Sequence, residues 1–202
     1  MMMKSIRLAA ALLIMLPVCT NAATIRETTS YFIIRGKTLN ELDRSLNSHS
    51  PYVAATGARH PGVTEVTFGG KITYKQTPQG CAVDQAHMSL TLKITLPKWI
   101  PPRGVDARTK LIWDTLAADI KRHEDGHAAI AKNHVKRMES AIRNLSPEQT
   151  CPEMEAKVNT VAARYLASHE RAQLEFDTVE GREVNFRLHR ALARAMDAAQ
   201  SR

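Results

Sequence analysis

The hydrophobic periodicity of this chain changes once, and that change constrains the fold more than any other feature. Apolar residues alternate with polar ones over 88–96, a period of two that is typical of a half-buried β-strand. Over 109–145 and again over 154–176, apolar residues recur every three or four positions, which is the pattern of one helix face. We therefore expect an α+β fold, in which a sheet-forming half is followed by a helical half.

Shorter signals add detail to the sheet-forming half. Strand-forming runs occupy 31–34, 63–68 and 72–74, and together with 88–96 they predict a small antiparallel sheet. Between the first two runs, Thr38-Leu39-Asn40-Glu41 has the form of a capping box and predicts a helix over 39–46.

The helical half is predicted to contain a hairpin. The segment 146–152 holds two prolines and separates the two helical patterns, so the two helices should lie side by side. Gly181 predicts a break, after which a basic segment forms a third helix.

The first 22 residues have the form of a secretory signal peptide. Lys4 and Arg7 precede an apolar run over 8–16, which is too short to span a bilayer, and small residues end the segment at Ala22. Val18 is too large for the residue before a lipidated cysteine, so we expect cleavage near Ala22 rather than lipidation. Residues 1–22 are therefore predicted to be removed, and 23–202 to form one domain in the periplasm or outside the cell.

The charge of the chain bears on its partners. The sequence has 28 Lys+Arg and 20 Asp+Glu, a net charge of +8, and loss of Lys4 and Arg7 leaves +6. Because the predicted compartment contains no chromosome, we expect no nucleic-acid partner. Arg187, Arg190 and Arg194 follow a helical spacing and predict a solvated face, with contact to an anionic envelope surface as the alternative.

Three cysteines are present, and Cys19 leaves with the predicted signal peptide. In an oxidising compartment the remaining pair, Cys81 and Cys151, is expected to form a disulfide. The alternative is two unpaired, buried thiols. By restricting the unfolded chain, such a bond would contribute about 4 kcal/mol to the free energy of unfolding.

The segment with the clearest chemical meaning is His123-Glu124-Asp125-Gly126-His127, a match to H-E-x-x-H in the middle of the longest predicted helix. Residues four apart lie on the same helix face, so both imidazoles can bind one Zn²⁺ ion. A glutamate beside the first histidine can act as general base toward a zinc-activated water. The alternative is that both histidines are core residues with satisfied nitrogens.

A third ligand has to come from elsewhere in the chain. His134 lies three helical turns after His123, too far along a straight helix, and is expected to be structural or exposed. The predicted hairpin brings 169–177 opposite the motif. Asp177 is our candidate third ligand, with His169 or Glu180 as alternatives.

These residues, taken together, resemble a bacterial family of envelope proteins that are predicted to be secreted zinc-dependent proteases and are otherwise classed as a domain of unknown function. The resemblance extends from about Thr28 to Phe176. It depends on the run 31–38, Cys81 before the alternating strand, Leu96-Pro97-Lys98-Trp99, Trp113 and the H-E-x-x-H segment.

The resemblance implies a zincin-like helical half, zinc on His123 and His127, and Glu124 as general base. It also implies a histidine in a Thr-x-His-Gly segment, where this chain has Thr178-Val179-Glu180-Gly181. We therefore expect a zinc-dependent metallohydrolase, a peptidase acting on peptides or proteins of the cell envelope. The alternative is a non-catalytic envelope binding or scaffold protein that retains a zincin-like helix.

Overall fold

A computed structural model describes residues 23–200, so the predicted signal peptide lies outside the described residues. The elements in chain order are β1 (Thr24–Ile34), α1 (Leu39–His49), β2 (Tyr52–Val53), β3 (Ala58–Arg59), β4 (Val63–Thr77), β5 (Gly80–Trp99), α2 (Ala107–Arg143) and α3 (Cys151–Gln200). The α+β class and the order of the two halves are as predicted.

The main sheet has the strand order β1-β5-β4 and is mixed, so the prediction of an antiparallel sheet is wrong for one pair. β4 and β5 form an antiparallel hairpin, whereas β1 runs parallel to β5 with Thr24 beside Ser89 and Ile34 beside Trp99. β1 joins the sheet only after α1 and three intervening strands, so no tight turn determines its direction.

β4 and β5 are longer than their hydrophobic patterns indicated. β4 continues through Gly69 and Gly70, which pair with Ser89 and Met88 of β5. Glycine suits both positions, because a Cβ at either would lie less than 3 Å from one of those two side chains. β5 continues through Pro97, which pairs with β1 but lies beyond Thr95, the last residue opposite β4. Its missing N–H is tolerated there because one side of β5 has no neighbouring strand.

The core lies between β5 and the two long helices. Every second residue of β5 from Ala86 to Leu96 is buried, as the alternation predicted. These side chains pack on the buried face of α2 and on the start of α3, which contribute Ile120, Ala128, Ala131, Val135, Met138, Ile142, Met154 and Val158.

The helix predictions are confirmed in part. The capping box is present, since Thr38 Oγ1 accepts from the Glu41 N–H and a Glu41 carboxylate oxygen accepts from the Thr38 N–H. α2 begins after Asp106, whose carboxylate accepts from the Thr109 N–H at 2.8 Å. The predicted break at Gly181 is absent, because α3 continues to Gln200 and the basic segment is its last part.

The disulfide Cys81–Cys151 is present and joins the beginning of β5 to the beginning of α3. Beside it, Cys81 and Glu148 exchange two backbone hydrogen bonds, which dock the hairpin turn on the sheet. Within residues 23–200, no helix combines the length and the hydropathy needed to cross a membrane.

Candidate functional site

A cleft of about 770 Å³ opens between the middle of α2, the middle of α3 and the segment that leads into β4. The two helices run antiparallel, because positions later on α2 contact positions earlier on α3. The cleft wall therefore includes residues from both predicted parts of the site, His123, Glu124 and His127 on α2 and Asp177 on α3.

His123, His127 and Asp177 converge on one point of this wall. The Nε2 atoms of the two histidines are 3.0 Å apart, and Asp177 Oδ1 lies 3.3 Å from His123 Nε2 and 3.0 Å from His127 Nε2. One ligand atom from each residue lies within 4.8 Å of the other two. Of the three predicted candidates for the third position, Asp177 is the one that the fold brings to both imidazoles.

Gln173 determines which nitrogen of His127 faces this cluster. The amide nitrogen of Gln173 donates to the backbone oxygen of His127 at 3.2 Å, which fixes the orientation of the amide. Its oxygen, 2.6 Å from His127 Nδ1, must then accept a hydrogen bond from that nitrogen. The neutral ring consequently carries its proton on Nδ1 and presents the lone pair of Nε2 to His123 and Asp177.

Glu124 is buried, with 4% of its surface exposed, yet it lines the cleft. Its Oε2 accepts a hydrogen bond from Thr64 Oγ1 on β4 at 2.8 Å. Burial raises the pKa of Glu124, while the Thr64 hydrogen bond and the positive charge available at His127 and His123 act in the opposite direction. Gly62 allows the β4 segment to approach, since a Cβ there would lie 2.7 Å from Glu124 Oε1.

The ring of Phe176 packs into the site beside Asp177. It stacks on His123, with ring centroids 5.1 Å apart and planes 24° apart, and meets His127 edge-on. The Phe176 ring fits there because residue 126 is glycine, since a Cβ on Gly126 would overlap the end of the ring. The glycine of the H-E-x-x-H segment is thus a packing requirement for α3.

An ion-pair network lies next to the cluster, before His123 on α2 and after Asp177 on α3. Arg187 donates to both carboxylate oxygens of Asp119, and Arg122 contacts both Asp119 and Glu180. Burial alone would raise the pKa of Asp119, but hydrogen bonds from Arg187 and Arg122 outweigh it and hold that pKa below its usual value. The network joins α2 to α3 on both sides of Gly181, through Glu180 before it and Arg187 after it.

Glu180 and Arg187 both belong to this ion-pair network, whereas Glu180 was an alternative metal ligand and Arg187 was expected to be solvated. Glu180 Oε2 pairs with Arg122 and Arg187 and lies 3.7 Å from His123 Nδ1, on the side of that ring away from the cluster. Arg187 is half-buried in an ion pair, so the predicted solvated arginine face is wrong at that position. Arg190 is exposed and lies over the ring of Phe186.

The remaining histidines of this region lie behind the cluster. His169 Nε2 accepts from Gln173 at 2.8 Å, and burial followed by the proximity of His134 lowers the pKa of His169. His134 is buried, with Nδ1 2.8 Å from the Ile130 carbonyl oxygen, as expected for a structural histidine. No local pattern indicates Thr64 or Gln173, because their positions in the site depend on contacts between distant segments.

Comparison with known proteins places the chain in a family. Residues 29–184 match DUF922, a family described as bacterial protein of unknown function. No curated protein and no solved structure matches the chain significantly. Because the match covers more than half of the sequence, the chain belongs to the DUF922 family of bacterial proteins.

Proposed function

We propose that this protein is a zinc-dependent metallohydrolase, a peptidase of the cell envelope, with His123, His127 and Asp177 as zinc ligands and Glu124 as general base. The proposal rests on one observation. His127 Nε2 bears a lone pair, because its Nδ1 donates to Gln173, and it lies 3.0 Å from the carboxylate oxygen of Asp177. Two acceptors at that distance repel each other unless a cation or a proton lies between them.

The residues present suit a zinc ion. Two imidazole nitrogens and one carboxylate oxygen are a ligand set that catalytic zinc sites use, leaving a further coordination position open. Second contacts orient the ligands, since Gln173 holds the outer nitrogen of His127 and Glu180 lies near that of His123. When bound, zinc supplies a Lewis acid that polarises a carbonyl and lowers the pKa of water.

The chain's own groups then perform the proton transfers. The buried Glu124 carboxylate accepts the proton of the attacking water, and the same oxygen returns that proton to the amine nitrogen that leaves. Thr64 orients the carboxylate by its hydrogen bond to Oε2. The burial that raises the pKa of Glu124 also favours the protonated form that must exist between the two transfers.

The cleft supports a peptide-sized substrate. Its volume of about 770 Å³ accommodates several side chains, and its wall is largely apolar where Val63, Val66 and Leu116 line it. An amide-containing chain with apolar side chains would bury those surfaces while presenting a carbonyl to the histidine cluster.

The experiment compares Glu124→Gln with Glu139→Gln, two buried glutamates of the same helix. Protein exported to the periplasm is incubated with a broad peptide library, and cleavage is followed by mass spectrometry. We expect Glu124→Gln to lower cleavage about 10²–10⁴-fold and Glu139→Gln to leave it within a few-fold of wild type. Equal cleavage by wild type and Glu124→Gln would contradict the assignment of the base.

A second candidate is a non-catalytic envelope binding or scaffold protein that uses the same cluster for structure. It is favoured by Glu180, which stands where the family resemblance implies a histidine and is neutralised by Arg122 and Arg187. This alternative predicts that neither wild type nor Glu124→Gln cleaves the library and that metal removal lowers thermal stability without any activity to lose.

A further inference from the structure

A second cavity, of about 470 Å³, lies between α2 and α3 on the hairpin-turn side of His134. Three arginines line it, Arg137 from α2 and Arg164 and Arg171 from α3. Of the described residues that line it, none is acidic. We call this cavity the arginine groove.

The charges of the arginine groove are not neutralised by the protein. Across residues 23–200, none of the three guanidinium groups forms an ion pair with a carboxylate, and all three side chains are exposed. Arg122 and Arg187, on the same two helices, instead contact Asp119 and Glu180. Three like charges around one cavity repel each other, so an anion bound there would relieve that repulsion.

Neutral donors accompany the three cations. Tyr165 and Ser168 are half-buried in the wall of the groove, where each hydroxyl can donate to a bound oxygen. Guanidinium groups bind carboxylates and phosphates by paired N–H donors, and hydroxyls complete such sites. A single carboxylate would offset one of three charges, whereas a phosphate carries up to two and has oxygens directed to several sides.

The groove also has an apolar part. Leu145, Val161 and Ala141 line it beside the arginines. A ligand that is phosphate alone would leave this surface exposed, whereas a phosphate attached to an organic group would cover it.

We propose that the arginine groove is a binding site for a phosphate group, carried either by a small soluble molecule or by a lipid headgroup. The site is separate from the histidine cluster. His134 lines the groove and His169 lines the cleft, and their rings, with centroids 5.5 Å apart, lie between the two cavities. Binding can therefore be measured with a chelator present, independently of any metal.

The first arm of the test uses inorganic phosphate and titration calorimetry at low ionic strength. We expect saturable binding to wild type and about a tenfold loss of affinity in Arg164→Gln, the effect of one charge-assisted hydrogen bond. The triple variant of Arg137, Arg164 and Arg171 to Gln should lose binding. Arg194→Gln, which removes the same charge from an exposed position of α3, is the matched control and should stay within twofold.

The second arm identifies the source of the phosphate. Vesicles of phosphatidic acid, whose phosphomonoester carries up to two charges, in phosphatidylcholine are sedimented with wild type and with the triple variant. Vesicle binding that needs the three arginines and is displaced by free phosphate supports the site and assigns it to a lipid headgroup. Phosphate binding without vesicle binding supports the site and assigns it to a soluble ligand.

Two results would overturn the proposal. One is that folded wild-type protein shows neither saturable phosphate binding in the first arm nor vesicle binding that needs the three arginines in the second. The other is an equal loss of binding in Arg194→Gln and Arg164→Gln, which would show a response to net charge alone. Circular dichroism of each variant checks the fold, and because all four arginines are exposed, the substitutions should not disturb it.

Discussion

Two glutamates of α2, Glu124 and Glu139, are buried to the same extent but have different surroundings. Glu139 accepts from the Met88 N–H at 2.8 Å with one oxygen and from Arg143 at 2.7 Å with the other. Glu124 accepts a hydroxyl hydrogen bond from Thr64 and faces the cleft beside two histidines and Asp177. The first carboxylate is hydrogen-bonded to the backbone of the sheet, and the second lies in the cleft wall beside the histidine cluster.

The position of Glu139 has a simple structural reason. Met88 lies one residue before the point at which β1 begins to pair with β5, so no β1 residue stands opposite it. Glu139 supplies the acceptor, and Arg143 balances its charge. Within residues 23–200, the Glu124 carboxylate accepts from a side-chain hydroxyl rather than from a strand N–H, so its burial does not have the same explanation.

The largest stability effect should follow loss of the Glu139 carboxylate. We expect Glu139→Gln to lower the free energy of unfolding by about 2 kcal/mol, because Met88 and Arg143 both lose a charged acceptor. Glu124→Gln should leave stability unchanged or raise it, since burial disfavours the charged form. Urea denaturation of both variants measures the difference, and a reversed order would break the comparison.

A somewhat smaller effect is expected at Gly126. A methyl group there overlaps Phe176, so Gly126→Ala should lower the free energy of unfolding by about 1–2 kcal/mol and weaken zinc binding by displacing Asp177. Gly181→Ala is the matched control, because a Cβ there meets no atom within 4 Å and alanine favours the helix. Thermal unfolding and chelator competition report the two properties. If Gly126→Ala behaves like Gly181→Ala, Phe176 does not position the site.

Thr64 provides a test confined to Glu124. Thr64→Val removes the hydroxyl that donates to Glu124 Oε2, and we expect about a tenfold loss of hydrolysis with unchanged zinc content. Thr67→Val, at an exposed position of the same strand, should leave hydrolysis unchanged. Equal activity of the two variants would show that Thr64 does not orient the carboxylate.

The smallest effect is a pH dependence at Asp119. Its pKa is lowered in the folded state, so its ion pair stabilises the protein above the unfolded pKa, about 3.9, and that contribution is lost as the pH falls through the lower folded value. Wild type should exceed Asp119→Asn in stability by about 1 kcal/mol at pH 7. The gap should begin to narrow near pH 4 and close once the pH lies below the folded pKa. Exposed Glu183→Gln is the control, and a gap independent of pH would contradict the ion-pair explanation.

Local patterns in the sequence predicted what depends on local physics. The period of α2, the capping box at Thr38, the alternation in β5 and the pairing of Cys81 with Cys151 are all present. The parallel direction of β1 was not predictable, because a strand's period does not reveal which neighbour it joins. The predicted break at Gly181 is wrong because the ion pairs of Glu180 and Arg187 with α2 outweigh the roughly 1 kcal/mol that glycine costs a helix.

In the candidate site, too, local patterns predicted some residues, and contacts between distant segments determine the others. Spacing alone indicated His123, Glu124 and His127, and the hairpin indicated the window that contains Asp177. Thr64, Gln173 and Phe176 reach these residues from β4 and α3, so only the folded chain shows their contacts.

The central claim, that His123, His127 and Asp177 hold zinc, is tested most directly by elemental analysis of protein purified from the periplasm without added metal. We predict one zinc ion per chain in wild type and in Glu124→Gln, and little zinc in His127→Ala and Asp177→Ala. Zinc in wild type no higher than in His127→Ala would contradict the account.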